Sequence, residues 1–415
     1  IIRDVMALKK VCGESEEVLL FVLDFKDAFY MLPLLDRERQ YFTAYHDGAW
    51  YVWERVAQGS VNGPNAFGRL SALVGRLSQS LFGDSEARIN IYTDDPCTVL
   101  RGRRSEIKTN ITMLTLLWRV LGWSLSYHKG QWGKVVDWIG FHIAVTPSSI
   151  EATIKESFMN DYRKMVSDLL RQRKVQRRTV QSFAGQTNHV ANLLYAWRPF
   201  IAELWAAIYN RKDSKQGRVW IKQIVGTLRW IELFLNKRRG SLTRTWSFEA
   251  WLNPAMNLTM VLDASPWGLG GVLICGERVL GYFASPLSRH DERRFGKSIG
   301  DNQGQQIWEA LCVLVALRAW MKQWSAVRVL LTLKSDNMSA LVMAGKLKIT
   351  SSTLIAREVA LLLSEAAFMP RHVEHLPGVM NTWADALSRL EEPGGNYTIP
   401  QQLTSAPRAR CEVRS

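Results

Sequence analysis

Four apolar runs in this chain stop on aspartate, and that habit constrains the fold more than any other feature. VLLFVLD (18–24), NLTMVLD (257–263) and VLLTLKSD (329–336) each read as a strand closed by an acid. INIYTDD (89–95) puts two more acids at the tip of a strand–turn–strand. Strand ends at one sheet edge are where α/β folds build sites. Clustered carboxylates repel each other and desolvate badly unless a cation is shared. The chain therefore reads as sheets whose edges gather acids, once before residue 100 and once after residue 260.

Composition fits a nucleic-acid partner. The 415 residues give room for two or three domains, and a 47% hydrophobic, 10% aromatic content argues for packed cores rather than disorder. The net charge is +15 and the pI about 9.7, which suits a polyanion: nucleic acid first, an anionic membrane second. Residues 171–244 hold 16 Lys/Arg against 3 Asp/Glu, a local net of +13. Trp197, Trp205, Trp220 and Trp230 lie in the same stretch, and their helical spacing assigns most of them to core packing. Five cysteines without a CxxC pair or a Cys/His cluster suggest neither zinc nor disulfides. No signal peptide and no run of membrane-span length is present, so an intracellular chain with no membrane partner is expected. The Ile-Ile start reads as a piece of a longer polyprotein.

The order of elements is β-α-β-β-α up to residue 145, with helices at 64–82 and 104–121 and a strand pair at 135–145. Residues 151–245 have helical periodicity over 151–172, 176–195, 199–211 and 217–237. The pattern resets at a linker near 248–257. A three-stranded meander follows (258–263, a Gly-rich turn with 269–275, 278–284), then helix 303–323, strand 327–335, helices 337–345 and 351–367, strand 369–375 and helix 381–390. The Pro/Gly/Ser-rich end, 391–415, is expected to be a disordered tail.

Taken alone, Asp94-Asp95 reads first as turn chemistry. It is not alone. FVLDFKDAFY (21–30), VAQGSVNGPNAF (56–67) and IYTDDP (91–96) come in this order, with RERQYFTAYHDGAWYVWERV (37–56) between the first two. Together they resemble motifs A, B and C of retrovirus-like and LTR-retrotransposon reverse transcriptases. The resemblance implies that Asp24, Asp94 and Asp95 hold two Mg²⁺ ions, with Mn²⁺ as a substitute, for attack of a primer hydroxyl on a deoxynucleoside triphosphate. It implies that Phe29 is a gate against a ribose 2′-hydroxyl, and that Gln58, Gly59 and Tyr92 lie on the substrate side. LGWSLSYHKGQW (121–132) is similar to motif D, with Lys129 as proton donor to pyrophosphate, and DWIGFHI (137–143) to the primer grip. Residues 1–17 show no counterpart of the family's fingers, and Pro96 removes a ladder donor where a hairpin strand should begin.

The second acid set is Asp263, Glu309, Asp336 and Asp385. Asp336 before Asn337 also suits a helix cap, and Asp385 suits a first helical turn. Glu309 sits among Trp and Leu in QQIWEALCVLVALRAW, where an acid needs a partner. With VEHLPGVMNTWADALSRL (373–390), these positions resemble the ribonuclease H set of retroelement polyproteins. That implies two further metals, hydrolysis of RNA in an RNA–DNA hybrid, and His375 as an active-site histidine ten residues before Asp385.

The expected architecture is an α+β polymerase palm with fingers largely missing (1–150), a basic helical thumb and connection (151–247), an α/β ribonuclease H-like domain (248–390) and the tail (391–415). Expected partners are RNA template, DNA primer, RNA–DNA hybrid and deoxynucleoside triphosphates. A scaffold of the same ancestry that binds nucleic acid without catalysis is the alternative.

Overall fold

Glu17–Val22 is apolar and buried at five successive positions, as a strand covered on both faces requires. It is an inner strand of a four-stranded antiparallel sheet in the order Ala87–Tyr92, Asp95–Gly102, Glu17–Val22, Gln131–Gly133. Helices Gly63–Gln79 and Arg104–Val120 supply Phe67, Val74, Ile107, Leu114 and Trp118 to its core. Pro64 in the first turn of the former removes an N–H that has no helical partner there. The computed structural model describes residues 1–210, 217–324, 327–347, 353–365 and 372–411. The start of the strand expected over 369–375, both ends of the helix expected over 351–367, the last residue of the helix expected over 199–211 and the last four residues of the tail lie outside them.

The chain divides into two units, Ile1–Lys155 and Glu156–Ser415. Boundaries were expected at 150 and 247; instead the basic helices fall in one unit with everything that follows. Arg357 of helix Thr353–Glu365 explains this. It is buried and bonded to Glu203 at 2.6 Å, with Thr227 hydrogen-bonded to the same carboxylate. Tyr195 also packs against the core of the later sheet.

The basic stretch forms helices Glu156–Leu170, Arg177–Leu193, Arg198–Ile208 and Val225–Leu235. Residues 151–154, expected to begin the first helix, belong instead to strand Ser149–Ile154, whose alternating pattern buries Ile150, Ala152 and Ile154. The tryptophans do not behave alike. Trp197 is fully buried, whereas Trp220 is 41% exposed with the Lys174 ammonium 3.9 Å from its ring centroid.

The later sheet has five strands in the order Arg278–Pro286, Gly268–Cys275, Met256–Ala264, Val329–Ser335, His372–His375. The first three form an antiparallel meander and the last two add in parallel. Helix Gln305–Trp320 is buried along nearly its whole length and joins one core with the sheet. Gly268, Gly270 and Gly271, expected partly as a turn, lie in the second strand. A Cβ on Gly270 would drive into the Ala384 carbonyl, and one on Gly268 would sit 2.7 Å from the Ser388 carbonyl oxygen. Hydrogen side chains there let helix Thr382–Ser388 lie directly on the sheet.

The tail is not disordered over 391–411. Leu403 is fully buried with Val272, Tyr282 and Leu387, and Ile399 and Ala406 pack around them. The Tyr282 N–H donates to the Pro407 carbonyl (3.2 Å), and the Ala409 N–H donates to the Tyr282 carbonyl (2.7 Å). The tail thus covers an outer strand that would otherwise present unpaired backbone. No helix among the described residues is long and apolar enough to cross a membrane.

Candidate active sites

The antiparallel ladder sets the first acid group. Beyond Val22 the pairing continues with Leu23 N–H to the Pro96 carbonyl (3.4 Å) and Phe25 N–H to the Asp94 carbonyl (3.1 Å), which lays Asp24 alongside Asp94-Asp95. Pro96 is accommodated as the second residue of its strand, where it accepts through its carbonyl. The hairpin closes on Thr93 and Asp94, and Thr93 takes φ +58°, a left-handed conformation that a β-branched residue seldom adopts. The Ser71 hydroxyl holds this turn by donating to the Thr93 carbonyl at 2.8 Å. The Trp138 indole N–H donates to the Asp95 carbonyl at 3.0 Å.

On the other side of Asp24, the Ser126 N–H donates to its carbonyl (2.9 Å) and brings in the 124–130 loop. Lys129 on that loop pairs with Asp24 Oδ2 at 2.8 Å. Burial raises the Asp95 carboxyl above the usual range, with Asp94 and Asp24 adding repulsion and Lys129 and Lys155 opposing it. The Asp24 partner raises the Lys129 ammonium in turn. Phe29 is half-buried and stacks on Phe67 with centroids 4.9 Å apart. Tyr92 is exposed beside the turn, and Gln58 and Gly59 are exposed on a loop where Gly59 has φ +92°.

The second acid group converges. Asp263, Glu309 and Asp336 each offer a carboxylate oxygen within 4.8 Å of the other two, and among the described residues no other trio of acids, histidines or cysteines does so. Asp263 and Glu309 are buried and Asp336 is exposed. The parallel pairing of Met256–Ala264 with Val329–Ser335 puts Asp263 and Asp336 at the same edge. Helix Gln305–Trp320 delivers Glu309 to it. The capping alternative for Asp336 is resolved by its neighbour, since the Asn337 side chain accepts from the Ala340 N–H at 3.1 Å.

Side chains that sequence reasoning missed set the orientation. The Ser388 hydroxyl donates to Asp263 Oδ2 at 2.7 Å. Asn381 donates to the Leu262 carbonyl at 3.0 Å, and its amide lies 3.5 Å from Asp263 Oδ1. The Gln305 amide donates to Glu309 Oε1 at 3.0 Å and to the Ala264 carbonyl. Ser388 and Asn381 frame the expected Asp385 motif, so a polar residue on the same helical face was the available signal.

Burial pushes Asp263 up to about 7; the Ser388 bond opposes the rise, Asp336 and Asp385 add to it, and Arg389 opposes it. Burial also raises Glu309 well above its ordinary value, with Asp263 and Asp336 repelling its charge. Asp385 stands outside the convergent trio. Its Oδ1 accepts from Arg389 Nε at 2.6 Å. His375 is exposed on the edge strand opposite Ser335, one residue from Asp336.

Oxygen donors this close suit a hard divalent cation, whose ligands sit at about 2.0–2.6 Å. Three converging carboxylates, two of them buried and pushed up by burial and by one another, fit such an ion. The first group does not meet this test as it stands, because Lys129 takes one of its acids.

No protein-family model matches the sequence. Among solved structures, a foamy viral protease-reverse transcriptase (the dRH form) in complex with double-stranded DNA is similar over 89% of this chain, at 17% identity and a TM-score of 0.44. The chain spans 59% of that chain's length. A foamy viral protease-reverse transcriptase with double-stranded DNA (18% identity, TM-score 0.43) matches over 87% of this chain and 68% of its own. One with an RNA/DNA hybrid (16%, 0.41) matches over 91% and 46%. Likeness at this level adds no weight of its own to the geometry above.

Proposed function

We propose that this chain is the reverse transcriptase–ribonuclease H portion of a retrovirus-like or LTR-retrotransposon polyprotein, and that its second acid centre hydrolyses the RNA of RNA–DNA hybrids. The convergence of Asp263, Glu309 and Asp336 at one sheet edge carries this reading. A divalent cation held by these three would supply Lewis-acid activation and charge neutralisation for phosphodiester hydrolysis. Ser388 and Asn381 fix the Asp263 carboxylate, and Gln305 fixes Glu309. Asp385 completes the acid set once Arg389 yields it, and exposed His375 serves proton transfer at the mouth. The basic 171–244 stretch holds the hybrid by its backbone, without base readout. A labelled hybrid incubated with the full chain and Mg²⁺ tests this. RNA-strand cleavage is expected in wild type and absent in Asp336→Asn; equal cleavage by both would sink the assignment.

RNA-templated DNA synthesis at Asp24, Asp94 and Asp95 is the second activity. The mutual repulsion felt by Asp95 supports it, since that places three acids within electrostatic reach. The Lys129–Asp24 pair supports the rival reading, a region that binds nucleic acid without polymerising. Primer extension on an RNA template separates them: extension lost in Asp94→Asn and Asp95→Asn favours the polymerase, and no extension by wild type favours the scaffold.

A further inference from the structure

A cationic cavity lies between the turn Tyr195–Trp197 and strand Thr243–Ser247, within the later unit. The guanidinium carbons of Arg198 and Arg244 stand 4.2 and 4.0 Å from the Tyr195 ring centroid, and Arg244 is 4.8 Å from that of Trp246. Aromatic faces hold these cations without neutralising them. Among the described residues no carboxylate comes within 4 Å of either arginine. Burial lowers Arg244 from its usual value; Tyr195 works against the drop and Arg198 adds to it.

Two features point to a missing acceptor. Arg244 Nη1 donates to the Leu193 carbonyl at 3.5 Å, but its Nε is buried with no hydrogen-bond partner, an arrangement that costs free energy until an acceptor arrives. Beside it opens a cavity of about 270 Å³, walled by Leu193, Leu194, Tyr195 and Arg244 and by Ser241, Thr243 and Thr245. That is space for several waters, each claiming about 30 Å³. The Ser241 hydroxyl oxygen already accepts from the Thr243 N–H at 3.0 Å, which leaves its proton to donate outward. Lys237, Arg238 and Arg239 precede the cavity in sequence. An arginine Nε lacking an acceptor, a second guanidinium on the same tyrosine ring and the Ser241 hydroxyl together make the chemistry of phosphate recognition.

We infer that this cavity is a socket for one backbone phosphate of a bound nucleic acid. The source of the phosphate rests on the function proposed above; the socket itself rests on the geometry. Binding of the full chain to an RNA–DNA hybrid is measured in EDTA across a salt series, for wild type, Thr245→Glu and Arg198→Gln. Both variants should weaken binding alike for all sequences and lower the slope of log affinity against log salt by about one. A parallel melting series compares inorganic phosphate with chloride at equal ionic strength. Phosphate should stabilise wild type and not Thr245→Glu.

If wild type binds hybrid and both variants keep its slope, the socket is overturned and the proposed function stands. If wild type binds no hybrid, the proposed function fails instead. Phosphate stabilisation lost in Thr245→Glu would then support a socket for free phosphate, and its absence in wild type would overturn the socket as well.

Discussion

The two acid groups are built from the same part, an apolar strand that ends in aspartate, yet they stand in different electrostatic states. At the first, Asp24 is paired with an exposed lysine, and the other two acids ride a hairpin turn held by Ser71. At the second, two acids are buried, a third joins them, and among the described residues no basic side chain forms an ion pair with the trio. Arg389 is spent on Asp385 instead. A strand-end acid therefore does not fix its own chemistry. The helix laid across the edge decides whether carboxylates converge, and the nearest cation decides which of them is paired.

The largest expected effect separates the sites outright. Asp263→Asn should reduce Mg²⁺-dependent hybrid cleavage by roughly 10³-fold, the equivalent of several kcal/mol of transition-state stabilisation. Asp95→Asn should leave cleavage unchanged, and equal losses in both variants would dissolve the distinction.

Next comes the platform beneath the second site. Gly270→Ala must push helix Thr382–Ser388 off the sheet, because the obstacle is backbone. A destabilisation of about 1–3 kcal/mol is expected from overpacking, together with weaker cleavage. Denaturant unfolding would measure it; an unperturbed midpoint would mean that the helix does not rest on this glycine. Ser388→Ala is a milder probe of the same support. It removes the hydroxyl that holds Asp263, and outer-shell losses of this kind weaken metal affinity by about 10–100-fold. Metal titration of cleavage rates would read the shift.

A pH series sharpens the electrostatic contrast. The folded chain in EDTA keeps protons on Asp263 and Glu309 that the unfolded chain releases above about pH 4. Their contribution to stability is therefore whole below pH 4, and that of Asp263 is lost as pH rises through about 7. Glu309→Gln keeps the side chain's shape without its charge, so its melting temperature relative to wild type should climb from pH 5 to pH 8. Asp95→Asn should climb less, since Asp95 is only partly buried. The smallest effect belongs to Lys129→Ala, which breaks an exposed ion pair and should leave the melting temperature unchanged.

Much of this contrast was legible before the structure. An apolar run with a terminal acid announces both a strand and a sheet-edge carboxylate, so Asp24, Asp263 and Asp336 were readable from periodicity. Glu309 was readable because an acid within a buried helix demands a partner. What escaped were contacts that no local pattern encodes. Gly268 looked like part of a turn, since glycine marks turns and close approaches alike. The tail looked disordered because Pro, Gly and Ser recur in it, while the residues that dock it (Ile399, Leu403, Ala406) are few and widely spaced. Lys129 reaches Asp24 across 105 positions, and Ser388 reaches Asp263 across 125. Such pairings exist only once the sheet order is known.

Binding of Mn²⁺ to the full chain without nucleic acid, followed by electron paramagnetic resonance, tests the central contrast most directly. The preassembled trio should bind the ion in wild type and in Asp95→Asn, and lose it in Glu309→Gln. Retention in Glu309→Gln with loss in Asp95→Asn would place the ready metal centre at the other site and contradict this account.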